Sequence, residues 1–204
     1  MPPSEVGTQL LVGNLSIYAT VSTTLPTAVT SAPTTLTTSE VKTFGHTTTS
    51  GAKINPSAIL NKKIASKFTL LEAGNVKSLS VYVKRASFFN TQKMKGVIYS
   101  NNKGIPDKLK GITSEITIYA GYGTPGWVKM NFIGDVPLIA GEYWLGFVTG
   151  GAGGAIRYYY TLSDNNQDMK YNQDRYSDGV SDPFGDSYNE KKELLVYATY
   201  TPVK

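Results

Sequence analysis

Val76-Lys77-Ser78-Leu79-Ser80-Val81-Tyr82-Val83 sets Leu79, Val81 and Val83 on alternate positions, with serine and tyrosine between them. That is the period of a strand with one buried face. Working outward, Glu72-Ala73-Gly74-Asn75 is a turn, and Ile64 to Leu70 is the strand before it. Downstream come Met94 to Tyr99, the polar loop Asn101 to Asp107, Glu115 to Tyr119 and Trp127 to Phe132. Pro137 to Gly141 then leads into Tyr143-Trp144-Leu145-Gly146-Phe147-Val148. Ile156 to Tyr160 and Leu194 to Tyr200 complete the set. This spacing predicts about nine or ten strands and no helix of useful length. The connections are too short for crossover helices, so the order is antiparallel. The expected fold is an all-β, antiparallel sandwich, jelly-roll-like, with an extended N-terminal arm.

Composition narrows the function classes. Charged residues are 17% of the 204, below the roughly 25% of an average soluble domain. Threonine, glycine and tyrosine are plentiful instead, as in extracellular and virion β proteins. With no cysteine, disulfide scaffolds, thiolate nucleophiles and Cys-ligated metals are excluded. The net charge is +5, but the lysines and arginines are scattered, which argues against a nucleic-acid partner. Met1-Pro2-Pro3-Ser4-Glu5 lacks the basic and apolar regions of a secretion signal. No apolar run approaches a bilayer span, so the expectation is a soluble chain without membrane insertion. Its expected location is the virion or the extracellular space.

The chain divides into residues 1–42 and 43–204. The first part holds one strand, Leu15 to Val21, and a Thr/Pro-rich stretch from Ser22 to Lys42 whose only acid is Glu40. That stretch has too few large apolar residues for a core and reads as an extended arm. Leu15-Ser16-Ile17-Tyr18-Ala19-Thr20 echoes Leu195-Val196-Tyr197-Ala198-Thr199-Tyr200. Two alternating strands can look alike by chance. Alternatively, Leu15, Ile17 and Tyr18 are assembly residues, and the early strand adds to a sheet edge of its own or a neighbouring subunit.

Several segments together carry a resemblance: Gly45-His46-Thr47-Thr48, Ala65 to Gly74, Ser78 to Tyr82, and Val97 to Asn102 with Gly104-Ile105-Pro106. Ala140 to Leu145, Tyr176-Ser177-Asp178-Gly179 and Asp182-Pro183-Phe184-Gly185 belong to the same set. The chain from about Val41 to Tyr200 resembles a family of β-sandwich modules found in bacteriophage structural proteins and in secreted or surface-anchored prokaryotic proteins. The resemblance implies a sandwich fold and protein subunits, of a capsid or of its own kind, as partners. It implies no catalytic residues.

Individual sites are weighed residue by residue. His46, the only histidine, has no Gly-x-Ser-x-Gly elbow to make it part of a triad. Gly150 to Gly154 lacks the Gly-Lys-Ser/Thr ending of a phosphate loop and reads as a hairpin turn. Asp164, Asp168, Asp174, Asp178, Asp182 and Asp186 crowd one segment. No cofactor is required by the sequence; carboxylates among asparagines suit calcium, the one candidate, but no Asp-x-Asp-x-Asp-Gly loop is present. The other reading is a set of Asx-turns. Two carboxylates across a cleft would suit a glycosidase, which spacing alone does not establish. Tyr158, Tyr160, Tyr171, Tyr176 and Tyr188 form the ligand-binding candidates, suited to glycan stacking, to protein contact or to packing inside the sandwich. Trp127 and Trp144 are expected as core or near-core anchors. The leading expectation is a non-enzymatic virion structural protein, a capsid decoration or fibre-associated sandwich. A carbohydrate-binding module or adhesin, and a filament subunit joined by strand donation, are the alternatives.

Overall fold

The computed structural model describes residues 40–57, 59–87, 89–119, 121–151, 154, 156–163 and 169–203. The expected arm, with Leu15, Ile17 and Tyr18, lies outside the described residues up to residue 39. Among the described residues there are fifteen strands: β1 (Lys42–Gly45), β2 (Lys53–Ile54), β3 (Lys62–Leu70), β4 (Gly74–Ser87), β5 (Gln92–Asn102), β6 (Ile105–Ile112), β7 (Ile116–Ile118) and β8 (Gly121–Tyr122). Then come β9 (Gly126–Leu138), β10 (Gly141–Gly151), β11 (Ile156–Leu162), β12 (Met169–Gln173), β13 (Tyr188–Glu190), β14 (Lys192–Leu194) and β15 (Val196–Pro202), with a 3-10 turn at Tyr176–Asp178.

The pairings nest. β1 pairs with β15, β3 with β10, β4 with β9 and β5 with β6, all antiparallel. One sheet therefore runs β1-β15-β4-β9 and the other β3-β10-β5-β6. A long hairpin folded across two sheets in this way is a jelly roll, as the strand spacing predicts. The other seven strands extend it. β11 continues the β15 side of β4 and carries β2 and β14, while β12 and β13 widen the second sheet beyond β3. Among the described residues, the strands beyond those expected are the short β1, β2, β8, β12, β13 and β14 and the hairpin strand β6.

Local chemistry explains the turns. The expected loop Asn101 to Asp107 is mostly strand, because Lys103 (φ 50°) and Gly104 (φ 83°) both adopt left-handed backbone. Two such residues make the tight turn that matches strand twist, so β5 and β6 form a hairpin. The expected hairpin at Gly150 to Gly154 is a correction in the other direction. β10 belongs to the second sheet and β11 to the first, so this connection crosses between sheets.

The main core lies between the inner faces. Leu79, Val81 and Val83 of β4 meet Met130 and Phe132 of β9, and Leu145 and Phe147 of β10, all buried. Each such side chain contributes about 1.5–3 kcal/mol on removal from water. A second core sits on the outer face of the second sheet, made of Ala65, Val97, Tyr99, Trp144, Val148 and Phe184.

The molecule has two distinguishable ends. Gly74 pairs with both Leu138 and Pro202, Leu70 pairs with Gly141, and Lys42 pairs with Tyr200. The entry to β1 and the exit from β15 therefore share one end, and Gly126, Gly151 and Gln92 mark the opposite one.

Candidate functional site

On the outer face of the first sheet, strand pairing gathers four aromatic rings. Tyr82 of β4 stands directly opposite Trp127 of β9, and their ring centroids are 5.1 Å apart. Tyr159 of β11 lies 5.1 Å from Tyr82 on the other flank, and Tyr197 of β15 lies 4.8 Å from Trp127. All four are half-buried. Cross-strand register also places Ser80, Lys84, Lys129 and Arg157 on this face. Burial raises the Tyr159 phenol above its ordinary value, and neighbouring Tyr82 adds to the shift. The rings are tilted to one another by 55°, 64° and 68°. The patch thus presents ring faces and edges together rather than one flat plane. A contiguous aromatic patch rimmed by polar groups is what recognition surfaces use.

Trp127 also walls a cleft of about 330 Å³, lined further by Val83, Arg85, Ile118 and Tyr119. Tyr119 is 70% exposed. Among the described residues, Arg85 is the only charged side chain of this lining. The face and the cleft form one continuous surface through the indole.

The predicted tyrosines lie elsewhere and pair off without forming one exposed surface. Tyr158 is 2% exposed in the main core, and its hydroxyl accepts a hydrogen bond from Asn55. Tyr160 packs on the same core, 6.4 Å from Tyr158 and with the Lys192 ammonium over its ring. Tyr171 and Tyr188 stack at 5.4 Å across β12 and β13. Tyr176 belongs to a separate cleft near Lys95. Trp144 is a core anchor as expected, whereas Trp127 faces outward. The signal for Trp127 was its parity: it alternates in step with Lys129 and Asn131, against Val128, Met130 and Phe132. Tyr82 likewise keeps step with Ser80, and Tyr197 with Thr199.

The acidic segment is a plug rather than a set of solvated turns. Lys63, on β3, has a fully buried side chain, and its ammonium is 3.0 Å from Asp174 Oδ2. It also donates to Ser181 Oγ and lies 4.3 Å from the centre of the Phe184 ring. Burial pulls the Lys63 ammonium below its ordinary pKa, and Asp174 opposes that pull. Asp174 Oδ2 accepts from both the amide (3.2 Å) and the hydroxyl (3.1 Å) of Ser181. Tyr99 donates to the Ser181 carbonyl at 2.6 Å, and Asp182 Oδ1 accepts from the Leu109 amide at 3.1 Å. Asp174 and Asp182 are thus engaged in fastening the segment to the second sheet. Asp178 holds Ser177 at 2.9 Å, and Asp186 is exposed. Asp164 and Asp168 lie outside the described residues. Among the described residues, no three histidine or carboxylate side chains converge to hold a cation. His46 Nδ1 is 2.6 Å from Glu193 Oε1, and its Nε2 lies 3.4 Å from the exposed hydroxyl of Thr48 two residues along the chain.

Compared with known proteins, the chain matches no family model, no curated sequence and no solved structure.

Proposed function

We propose that this chain is a non-catalytic binding domain that holds a saccharide chain against the outer face of its first sheet. The Tyr82–Trp127–Tyr159–Tyr197 cluster carries this reading. Trp and Tyr offer large, stiff, amphipathic surface at low entropic cost, which suits the mixed polar and apolar faces of a sugar ring. The mutual tilt of the rings favours a soluble, twisted chain over a flat crystalline surface. The polar rim of Lys84, Lys129 and Arg157 supplies hydrogen-bond donors to hydroxyls. The test is a glycan-array screen with the whole chain, followed by titration of the best ligand against Trp127→Ala. Loss of at least about tenfold in affinity, the scale of an aromatic hot spot, supports the reading. Unchanged affinity sinks it.

A structural subunit, of a virion or a filament, is the second reading. It is favoured by the exposed apolar residues Leu71, Ile139 and Val203, which are 86%, 75% and 55% exposed in and beside the turns of the entry end. Light scattering of the whole chain against Leu71→Ser/Ile139→Ser separates the two. A defined oligomer that dissociates in the variant supports the subunit reading, and a monomer in both counts against self-assembly.

A further inference from the structure

A second concave site lies at the far end of the roll, on the side of the second sheet. Its cavity is about 560 Å³, and its walls include Asn61, Lys93, Lys95, Glu115, Arg175 and Tyr176. That volume suits a small ligand. It shares no residue with the aromatic face.

Several elements fix its shape. Asn61 adopts left-handed backbone (φ 49°), a conformation asparagine tolerates better than most residues. Its carbonyl accepts from the Asp174 amide at 2.8 Å and its side-chain oxygen from the Tyr176 amide at 3.2 Å. The Tyr176 ring lies flush on β10 because residue 150 is glycine: a Cβ there would stand 2.2 Å from the ring's Cγ. The Tyr176 hydroxyl donates to Glu115 Oε2 at 3.0 Å. The aromatic wall is thus set by a backbone anchor, a missing Cβ and a hydrogen bond.

The charge is unbalanced. Lys93 pairs with Glu115 at 2.9 Å, which holds that carboxyl below its ordinary range, with Tyr176 helping. Lys95 is half-buried, and its ammonium lies 4.9 Å from the Tyr176 ring centre. Among the described residues, no acid lies within ion-pair distance of Lys95 or Arg175. Three cations therefore face one carboxylate across a cavity with a rigid aromatic side. Glu115 feels Lys95 as well as Lys93, and Arg175 is exposed, so one carboxylate serves the whole group and an anion arriving between Lys95 and Arg175 supplies further negative charge where cations are in excess.

We propose that this cleft binds an acidic saccharide unit, its carboxylate or phosphate between Lys95 and Arg175 and its ring against Tyr176. The inference goes beyond the aromatic face and does not require it. The test uses the whole chain and four probes: glucuronate, glucose, glucose 1-phosphate and inorganic phosphate, each titrated by NMR or calorimetry. The expected result is saturable binding of glucuronate or glucose 1-phosphate, with glucose weaker by about tenfold or more. Lys95→Gln and Arg175→Gln, each checked for an unchanged melting temperature, are expected to weaken that binding about tenfold, the scale of one charge-assisted contact. Lys95 is half-buried and Arg175 exposed, so poor folding of the first variant leaves the second informative. Binding should also fall as salt rises. Glucose binding as tightly as glucuronate overturns the anion assignment. Inorganic phosphate binding as tightly as the sugar anions overturns the placement of a ring on Tyr176. Saturable binding that survives both substitutions, or no binding by any probe, overturns the site.

Discussion

The two outer faces of the sandwich begin alike and end differently. On the first sheet, Tyr82, Trp127, Tyr159 and Tyr197 remain half-buried at the surface. On the second sheet, Tyr99 and Trp144 stand on the same kind of strand surface, yet both are fully buried. The difference is a cover. Residues 174–186 close over Tyr99 and Trp144, held by Lys63, Asp174, Ser181 and Phe184. A covered aromatic face becomes core, and an uncovered one stays available to a partner. Aromatic content alone does not separate the two. The presence of a buried charged clasp does.

The sharpest way to break this comparison is to open the clasp. Asp174→Ala leaves the Lys63 ammonium buried without its carboxylate and is expected to cost about 3–5 kcal/mol in denaturant unfolding. A loss under about 1 kcal/mol would mean that the clasp is not what holds the cover.

Alkaline titration probes the buried hydroxyls next. Burial raises the Tyr99 and Tyr158 phenols well above their ordinary value. In the unfolded chain they ionise near pH 10, while in the folded protein they keep their protons. Their stabilisation is therefore complete below about pH 10 and is lost above it, at about 1.4 kcal/mol per pH unit for each. Lys63 works in the opposite sense, since its lowered value makes stability rise with pH up to about 10.4 and then level off. A melting temperature that climbs gently and then falls steeply above pH 10, with a shallower fall in Tyr99→Phe, is the expected profile. A flat profile through pH 11 would contradict the burial of both phenols.

Tyr82→Ala on the open face removes a half-buried ring from a cross-strand pair and is expected to cost about 1 kcal/mol. A cost equal to that of Asp174→Ala would erase the distinction between the faces. Smallest of all is the exposed Lys77–Asp135 pair. Lys77→Ala there should change stability by less than about 0.5 kcal/mol by thermal melting.

Much of this architecture is legible in the residues. The alternation of Leu79, Val81 and Val83 gives the strand, and short connections give the antiparallel order. In β10, Tyr143 to Gly150 is buried on both faces. The near-continuous apolar run Tyr143 to Val148 is the mark of such a strand, and it signals a cover. The parity of Trp127 with Lys129 and Asn131 marks it as outward. What parity could not decide was Tyr158-Tyr159-Tyr160, because tyrosine suits either face. There the register of Tyr158 against Val83 of β4 sends Tyr158 inward and leaves Tyr159 at the surface. The acidic segment was opaque for a different reason. Its partner, Lys63, lies on a strand far earlier in the chain, and only the nesting of β3 beside β12 brings them together.

The shared end of β1 and β15 has a mechanical consequence. The chain enters at Lys42, whereas the aromatic face and the cationic cleft lie toward the opposite end. A tug between a tether preceding Lys42 and a ligand held at the far end runs along β1, parallel to its strand axis. All four residue pairings of β1 with β15, from Lys42 with Tyr200 to Gly45 with Tyr197, would then be strained together in shear. Pulling Lys42 and Pro202 apart at their shared end would instead unzip them singly. The same short strand is therefore a firm anchor under one direction of load and a weak one under the other.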